Sequence, residues 1–191
     1  GLLLLLTLVV GLNPPESAST GSLMTRFRPP ALDGYLFGTD QLGRSLAARV
    51  AAGMPWSLGI AMVAAVIALV IGTVVGLVAA WVPGWPRRAI RMLIDTVIAF
   101  PSLVIAVTVI ALLGRGFWPL AVTLGLATWP IAARVVYAEA MSIVKRDYVV
   151  AADLAGVAWP QIMLVHVLPA LRPTLLTMFA FTFADMLIAE S

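Results

Sequence analysis

Cysteine is absent from the 191 residues of this chain, and histidine occurs once, at His166. The first absence excludes disulfides, thiolate nucleophiles and cysteine metal sites. A lone histidine assembles no metal centre and leaves no HExxH zinc site. Lysine also occurs once: Lys145 follows Ile143 and Val144 with no glycine loop nearby, so no phosphate-cradling Walker segment is present, and no GxSxG elbow is found either. Charge is scarce. Only 11% of residues are charged while 62% are hydrophobic, and the mean hydropathy is +1.05, against roughly a quarter charged and half apolar in soluble domains. This is the composition of an integral membrane protein. The net charge of +3 comes from basic residues that form no run or stripe, which excludes a nucleic-acid surface and fits loop arginines that set orientation.

The apolar residues Leu2 to Leu12 are too few for the roughly 20 of a spanning helix. They are read as the outer end of a first span, at residues 1–12, rather than a signal peptide, because no basic segment precedes them. Residues 13–53, with Pro14, Pro15, Pro29 and Pro30, form a long loop outside the hydrocarbon. Near its end Thr39 or Asp40 is expected to cap an interfacial helix bearing Leu42, Leu46 and Val50, with Arg44 and Arg49 facing away. Residues 54–191 carry the remaining spans. Trp56 to Ala80 is uncharged, and Ala68, Gly72, Gly76 and Ala80 place small side chains on one face, where a neighbouring helix can approach. Trp81 and Trp85 mark an interface.

A third span is expected from about Ile90 to Leu113, opened by Arg91 and Asp95 as an i,i+4 ion pair. It is bent at Phe100-Pro101, where the ring removes a backbone hydrogen bond. The turn Gly114-Arg-Gly116 returns the chain into a fourth span, Trp118 to Val136, kinked at Pro130. Arg134, Glu139, Lys145, Arg146 and Asp147 end that apolar run, and a fifth span runs from about Pro169 to Ala189. The fold class is therefore all-α, a polytopic transmembrane helical bundle. Arg87, Arg88, Arg91, Arg134, Lys145 and Arg146 fall on one side, against Arg26, Arg28, Arg44, Arg49 and Arg115 on the other. The positive-inside rule assigns the first group to the cytoplasm. Acids at membrane depth usually face protein or water, which makes Asp185 a candidate pathway residue beside Phe100 and Pro101.

Between the fourth and fifth spans lies a folded elbow. Asp147 is expected to cap a short helix from Tyr148 to Ala155, Gly156 to end it in the left-handed conformation, and Pro160 to sit in the first turn of a second helix that Pro169 interrupts. The segment from Asp147 through Ala151, Ala152 and Gly156 to His166-Val-Leu-Pro169 resembles the cytoplasmic EAA loop of bacterial ABC-importer permeases. Gly38-Thr-Asp-Gln-Leu-Gly-Arg44 resembles the GTD-x-LGR signature of the dipeptide, oligopeptide and nickel permeases among them. The chain departs from the pattern at Val150, where a glutamate is usual, and at Ala158 and Trp159, where a Ser or Asp cap commonly follows the glycine.

The resemblance implies a multi-pass permease of the bacterial cytoplasmic (inner) membrane. It implies that Asp147, Tyr148, Ala151, Ala152, Gly156, His166 and Pro169 couple to ATPase subunits through a loop at 142–168. Its implied partners are a second, similar permease, two ATPase subunits that use ATP, an extracytoplasmic binding protein and the bilayer, with no cofactor in this chain and no nucleic acid. The ending Glu190-Ser191 resembles the residues before a further span, so additional sequence is expected at both ends. Two other classes remain open: an ion-coupled secondary transporter using Asp95, Asp185 or Glu190 as a relay, and a purely structural membrane subunit.

Overall fold

The computed structural model describes residues 21–30, 35–99, 104, 108, 109, 111, 112, 114 and 116–190. Its contacts divide the chain into two units, Gly1–Gly59 and Ile60–Ser191. Helix α1 (Leu46–Trp81) begins in the first unit and continues into the second. It is followed by α2 (Trp85–Ala99), α3 (Phe117–Ile143), α4 (Asp147–Leu154), α5 (Trp159–Ile162), a π-helical turn (Met163–Val167), α6 (Leu168–Ala170) and α7 (Arg172–Glu190). Among the described residues, α1, α3 and Arg172–Ala189 of α7 are long and apolar enough to cross a membrane. The all-α transmembrane bundle expected from the sequence is observed.

In the first unit the described residues between Ser22 and Ser45 are tied together by backbone and side-chain hydrogen bonds, among them Thr39 N–H to the Arg28 carbonyl at 3.2 Å and Asp40 N–H to the Arg44 carbonyl at 3.0 Å. Thr39 and Ser45 form an isolated antiparallel bridge. The Thr39 hydroxyl accepts from the Arg28 N–H at 2.9 Å and donates to the Thr25 carbonyl. Gly38 and Gly43 both have φ of +75°. A Cβ on Gly43 would lie 2.7 Å from the Thr25 hydroxyl, so glycine is required there on two counts. The expected helix cap is corrected. The helix begins at Leu46 with Ser45 before it, whose hydroxyl accepts from the Ala48 N–H at 3.4 Å. Thr39 and Asp40 close the preceding turn instead, and Arg44 and Arg49 turn toward Asp40.

The interfacial helix and the second span are one element. The 36 residues of α1 run through Pro55 without a break and extend about 54 Å at 1.5 Å per residue. Its small-residue stripe is buried as expected. Ala68 is fully buried, a Cβ on Gly72 would lie 2.9 Å from the Ala133 N, and one on Gly76 would lie 2.8 Å from the Ala133 carbonyl. Gly125 of α3 returns the close approach, since a Cβ added to it would lie 2.8 Å from the Ile67 Cβ. In lipid, where apolar side chains gain nothing by leaving the solvent, such van der Waals contact at short range is what holds helices together. The exposed side of α1 carries Met62, Val66, Val70 and Val74 at every fourth position. Ala61 and Ala64 of α1 meet Met186 of α7, with Leu124 of α3 packed alongside.

Three helix limits differ from expectation. α2 starts at Trp85, directly after the positive-φ Gly84, rather than at Ile90. α3 continues past Arg134 to Ile143, because Val136, Ala140 and Ile143 form a buried face on which the charged residues are the outer side. α7 starts at Arg172, after Leu171 closes a turn on the Val167 carbonyl. Pro130 lies buried inside α3 without ending it. Hydroxyls within the helices are satisfied locally: Thr123, Thr128 and Thr177 each donate to the carbonyl four residues back, as a medium without water demands.

Candidate functional site

The elbow is a small folded body with its own core. Val149 of α4, Ile162 of α5, Met163 and Val167 of the π turn, and Leu171 are buried together with Val136, Ala140 and Ile143 from the end of α3. The turn at its centre is a Schellman closure. Gly156 has φ of +78°, its N–H donates to the Asp153 carbonyl at 2.9 Å, and the Val157 N–H donates to the Ala152 carbonyl at 3.1 Å. Val157 and Ala152 then pack on the core together. Pro160 sits in the first turn of α5, as its missing N–H allows. Asp147 is corrected from cap to first helical residue: Arg146 holds the cap position, and no side-chain cap bond is made. An acid there still favours the helix through the positive end of its dipole.

Two of the expected coupling residues meet across the elbow. The rings of Tyr148 and His166 lie 6.3 Å apart at a tilt of 56°, within the range of attractive aromatic pairs. The π turn explains how His166 and Pro169 share one continuous path. Proline lacks an N–H and its ring crowds the carbonyl four residues earlier. Here the preceding Leu168 N–H reaches back to Met163, and the widened turn makes room. Tyr148, Val150, Leu154, Leu164 and Val165 of the elbow are exposed, Leu154 to 83%. Ala151 is exposed as well.

Asp95 is not paired with Arg91. Its partner is Arg134, on α3, and the Arg91 guanidinium instead lies 5.4 Å from the Tyr137 ring centroid. One-dimensional spacing shows an i,i+4 neighbour such as Arg91 and hides a partner 39 positions away. The hint available was that each apolar helix carries an opposite charge near the same end. Asp185 is exposed on α7 and makes none of the described ion pairs. Phe100 and Pro101 lie outside the described residues.

The turn containing Asp40 is a second built feature. Its carboxylate accepts from the Leu42 N–H at 2.8 Å and the Arg44 N–H at 2.9 Å, and meets Arg49 at 2.6 Å and Arg44 at 3.7 Å. The Arg44 N–H is the largest influence holding this carboxyl below its ordinary value. The Leu42 N–H and the charges of Arg44 and Arg49 add to it, against partial burial acting in the other direction. Among the described residues no group of His, Asp and Glu is placed to hold a metal ion.

Residues 72–191 match the family of binding-protein-dependent transport system inner membrane components. A putative peptide transport system permease protein of Brucella suis is 36% identical over all of this chain and 66% of its own length. The dipeptide transport system permease protein DppC of Lactococcus lactis is 33% identical over 93% of this chain and 52% of its own length. The oligopeptide transport system permease protein OppC of Escherichia coli K12 is 32% identical over 99% of this chain and 64% of its own length. The chain thus spans 66% or less of the length of each of these relatives.

Proposed function

The chain belongs to the family of binding-protein-dependent transport system inner membrane components, and from that premise we propose that it is part of the permease of an ATP-driven importer of peptides. It works in the bacterial cytoplasmic membrane. The observation that carries this reading is the elbow: a helix, a positive-φ glycine and a second helix, seated on the end of α3 by a buried core and leaving large apolar side chains exposed. A membrane protein gains nothing by exposing large apolar side chains of a folded loop to water, and such exposure is what a docking site leaves in the isolated chain. Its occupant is an ATPase subunit, two of which serve the complete transporter. The permease pathway is completed by a second, similar permease, and an extracytoplasmic binding protein delivers the peptide. Hydrolysis takes place on the ATPases. ATP-driven movement of those subunits displaces the elbow, and α3 passes the displacement to the spans.

The test is reconstitution of the complete transporter in proteoliposomes. Peptide uptake should require ATP inside, the ATPases and the binding protein, and should be indifferent to a proton gradient. Uptake by the permease alone, driven by a gradient, would refute the reading in favour of a secondary transporter.

A further inference from the structure

Two contacts tie α2 to α3, and both lie well inside the helices. Asp95 is about 15 Å along the axis from Trp85, and Arg134 about 13 Å from Ile143. Asp95 pairs with Arg134, and one turn away Arg91 lies over Tyr137. Because the two helices run antiparallel here, the contacts stack as successive rungs. Buried Ile94 and the four side chains line a cleft of about 370 Å³. Both side chains of the ion pair are more than half exposed, Arg134 to 55% and Asp95 to 56%, so either charge can be removed without stranding its partner in a dry core. Tyr137 also packs against the elbow core, to which α3 contributes Val136, Ala140 and Ile143. The elbow, the end of α3 and the end of α1 at Leu77 and Ala80 therefore form one packed body, and the two rungs are its polar connection to α2.

Resting on the permease reading, we propose that Asp95, Arg134, Arg91 and Tyr137 clamp α2 to α3, so that displacement of the elbow carries α2 with it. These are positioning residues that touch no substrate. The clamp is distinct from fold stability, which comes from the small-residue packing of α1 on α3. Releasing it therefore uncouples movement without dismantling the bundle.

The experiment uses the complete transporter in proteoliposomes, with Asp95→Asn, Arg134→Gln, the double variant and Asp95→Glu. Three quantities are read: assembled complex, ATP hydrolysis and peptide uptake. The expected result is normal assembly and continued hydrolysis in every variant, with uptake reduced roughly tenfold in each single variant, a typical coupling between sites. The double variant should be no worse than the singles, since both act on one contact, and Asp95→Glu should retain most uptake. Full uptake by Asp95→Asn and Arg134→Gln would overturn the clamp. So would uptake, hydrolysis and assembly falling in parallel, which is the signature of a merely structural pair. An unsubstituted complex without ATP-driven uptake would instead overturn the permease reading, and the clamp's role with it.

Discussion

Substituting Gly156 separates backbone conformation from side-chain volume as the requirement at the elbow. With φ at +78° the residue occupies the left-handed region, and a Cβ built there meets nothing within 4 Å. Any penalty must therefore come from the backbone. For a residue with a Cβ it is about 1–2 kcal/mol, smaller for asparagine and largest for β-branched types. A shift of that size changes the population of the closed turn by a factor of about 5–30. As φ relaxes, the bonds from Gly156 to Asp153 and from Val157 to Ala152 are lost, and Val157 leaves the core. The spans are untouched. Gly156→Asn, Gly156→Ala and Gly156→Val should therefore all reach the membrane in normal amounts, with ATPase copurification and ATP-driven uptake declining in that order. Asparagine and valine have similar volumes, so equal loss in both would refute the conformational reasoning. Retention of ATPase binding and uptake by Gly156→Val would remove the elbow from coupling altogether.

Other expectations concern orientation, packing and the Asp40 turn. Cysteines placed at the exposed Ser142 and Gln161 should react with an impermeant thiol reagent from the cytoplasmic side, and one at Met24 from outside; labelling of Gln161 from outside reverses the topology. Gly72→Leu should lower the amount of folded protein recovered from membranes, because its first added atom lies 2.9 Å from the Ala133 N, and overpacking typically costs about 1–3 kcal/mol; recovery equal to the parent would show that α1 and α3 separate freely. The Asp40 carboxyl is held below its ordinary value in the folded state, so its stabilisation of the turn is present above the unfolded value of about 3.9 and is lost as pH falls through the lower folded one. Proteolysis between residues 21 and 45 should accelerate in that acid range, whereas Asp40→Asn should already be fast at neutral pH; a parent with no acid-dependent change would show that the carboxylate does not hold the turn.

The second span was legible because an uncharged run of helical length has few other solutions in lipid, and the stripe from Ala68 to Ala80 announced its own buried face; the expected first span and most of the third beyond Ala99 lie outside the described residues. The elbow was legible for a different reason. Glycine and proline have narrow conformational uses, and Gly156 and Pro160 stand where those uses apply. Hydrogen-bond caps were less readable. Ser45, Thr39 and Asp40 are all competent caps by type, and the bridge between Thr39 and Ser45 decides among them through contacts with residues as distant as Thr25 and Arg28. Asp147 was misplaced by one position for the same reason, since Arg146 reaches extended geometry without any side-chain bond to reveal it. The partner of Asp95 was invisible in principle to local spacing, because the chain must fold back through a whole span to bring Arg134 beside it.

The π turn makes the length of the segment between the elbow and the last span a structural variable. A π turn accommodates one more residue than the α-helix it interrupts, and each residue rotates a helix by about 100°. Deleting a single residue from Met163–Val167 would thus restore an ordinary α turn and leave Met186 facing Ala61 and Ala64, whereas the same deletion within regular α-helix would rotate everything beyond it by one residue's step. Hydropathy would not register the change. A one-residue difference in this turn can therefore be absorbed without changing which side of the last helix faces the bundle.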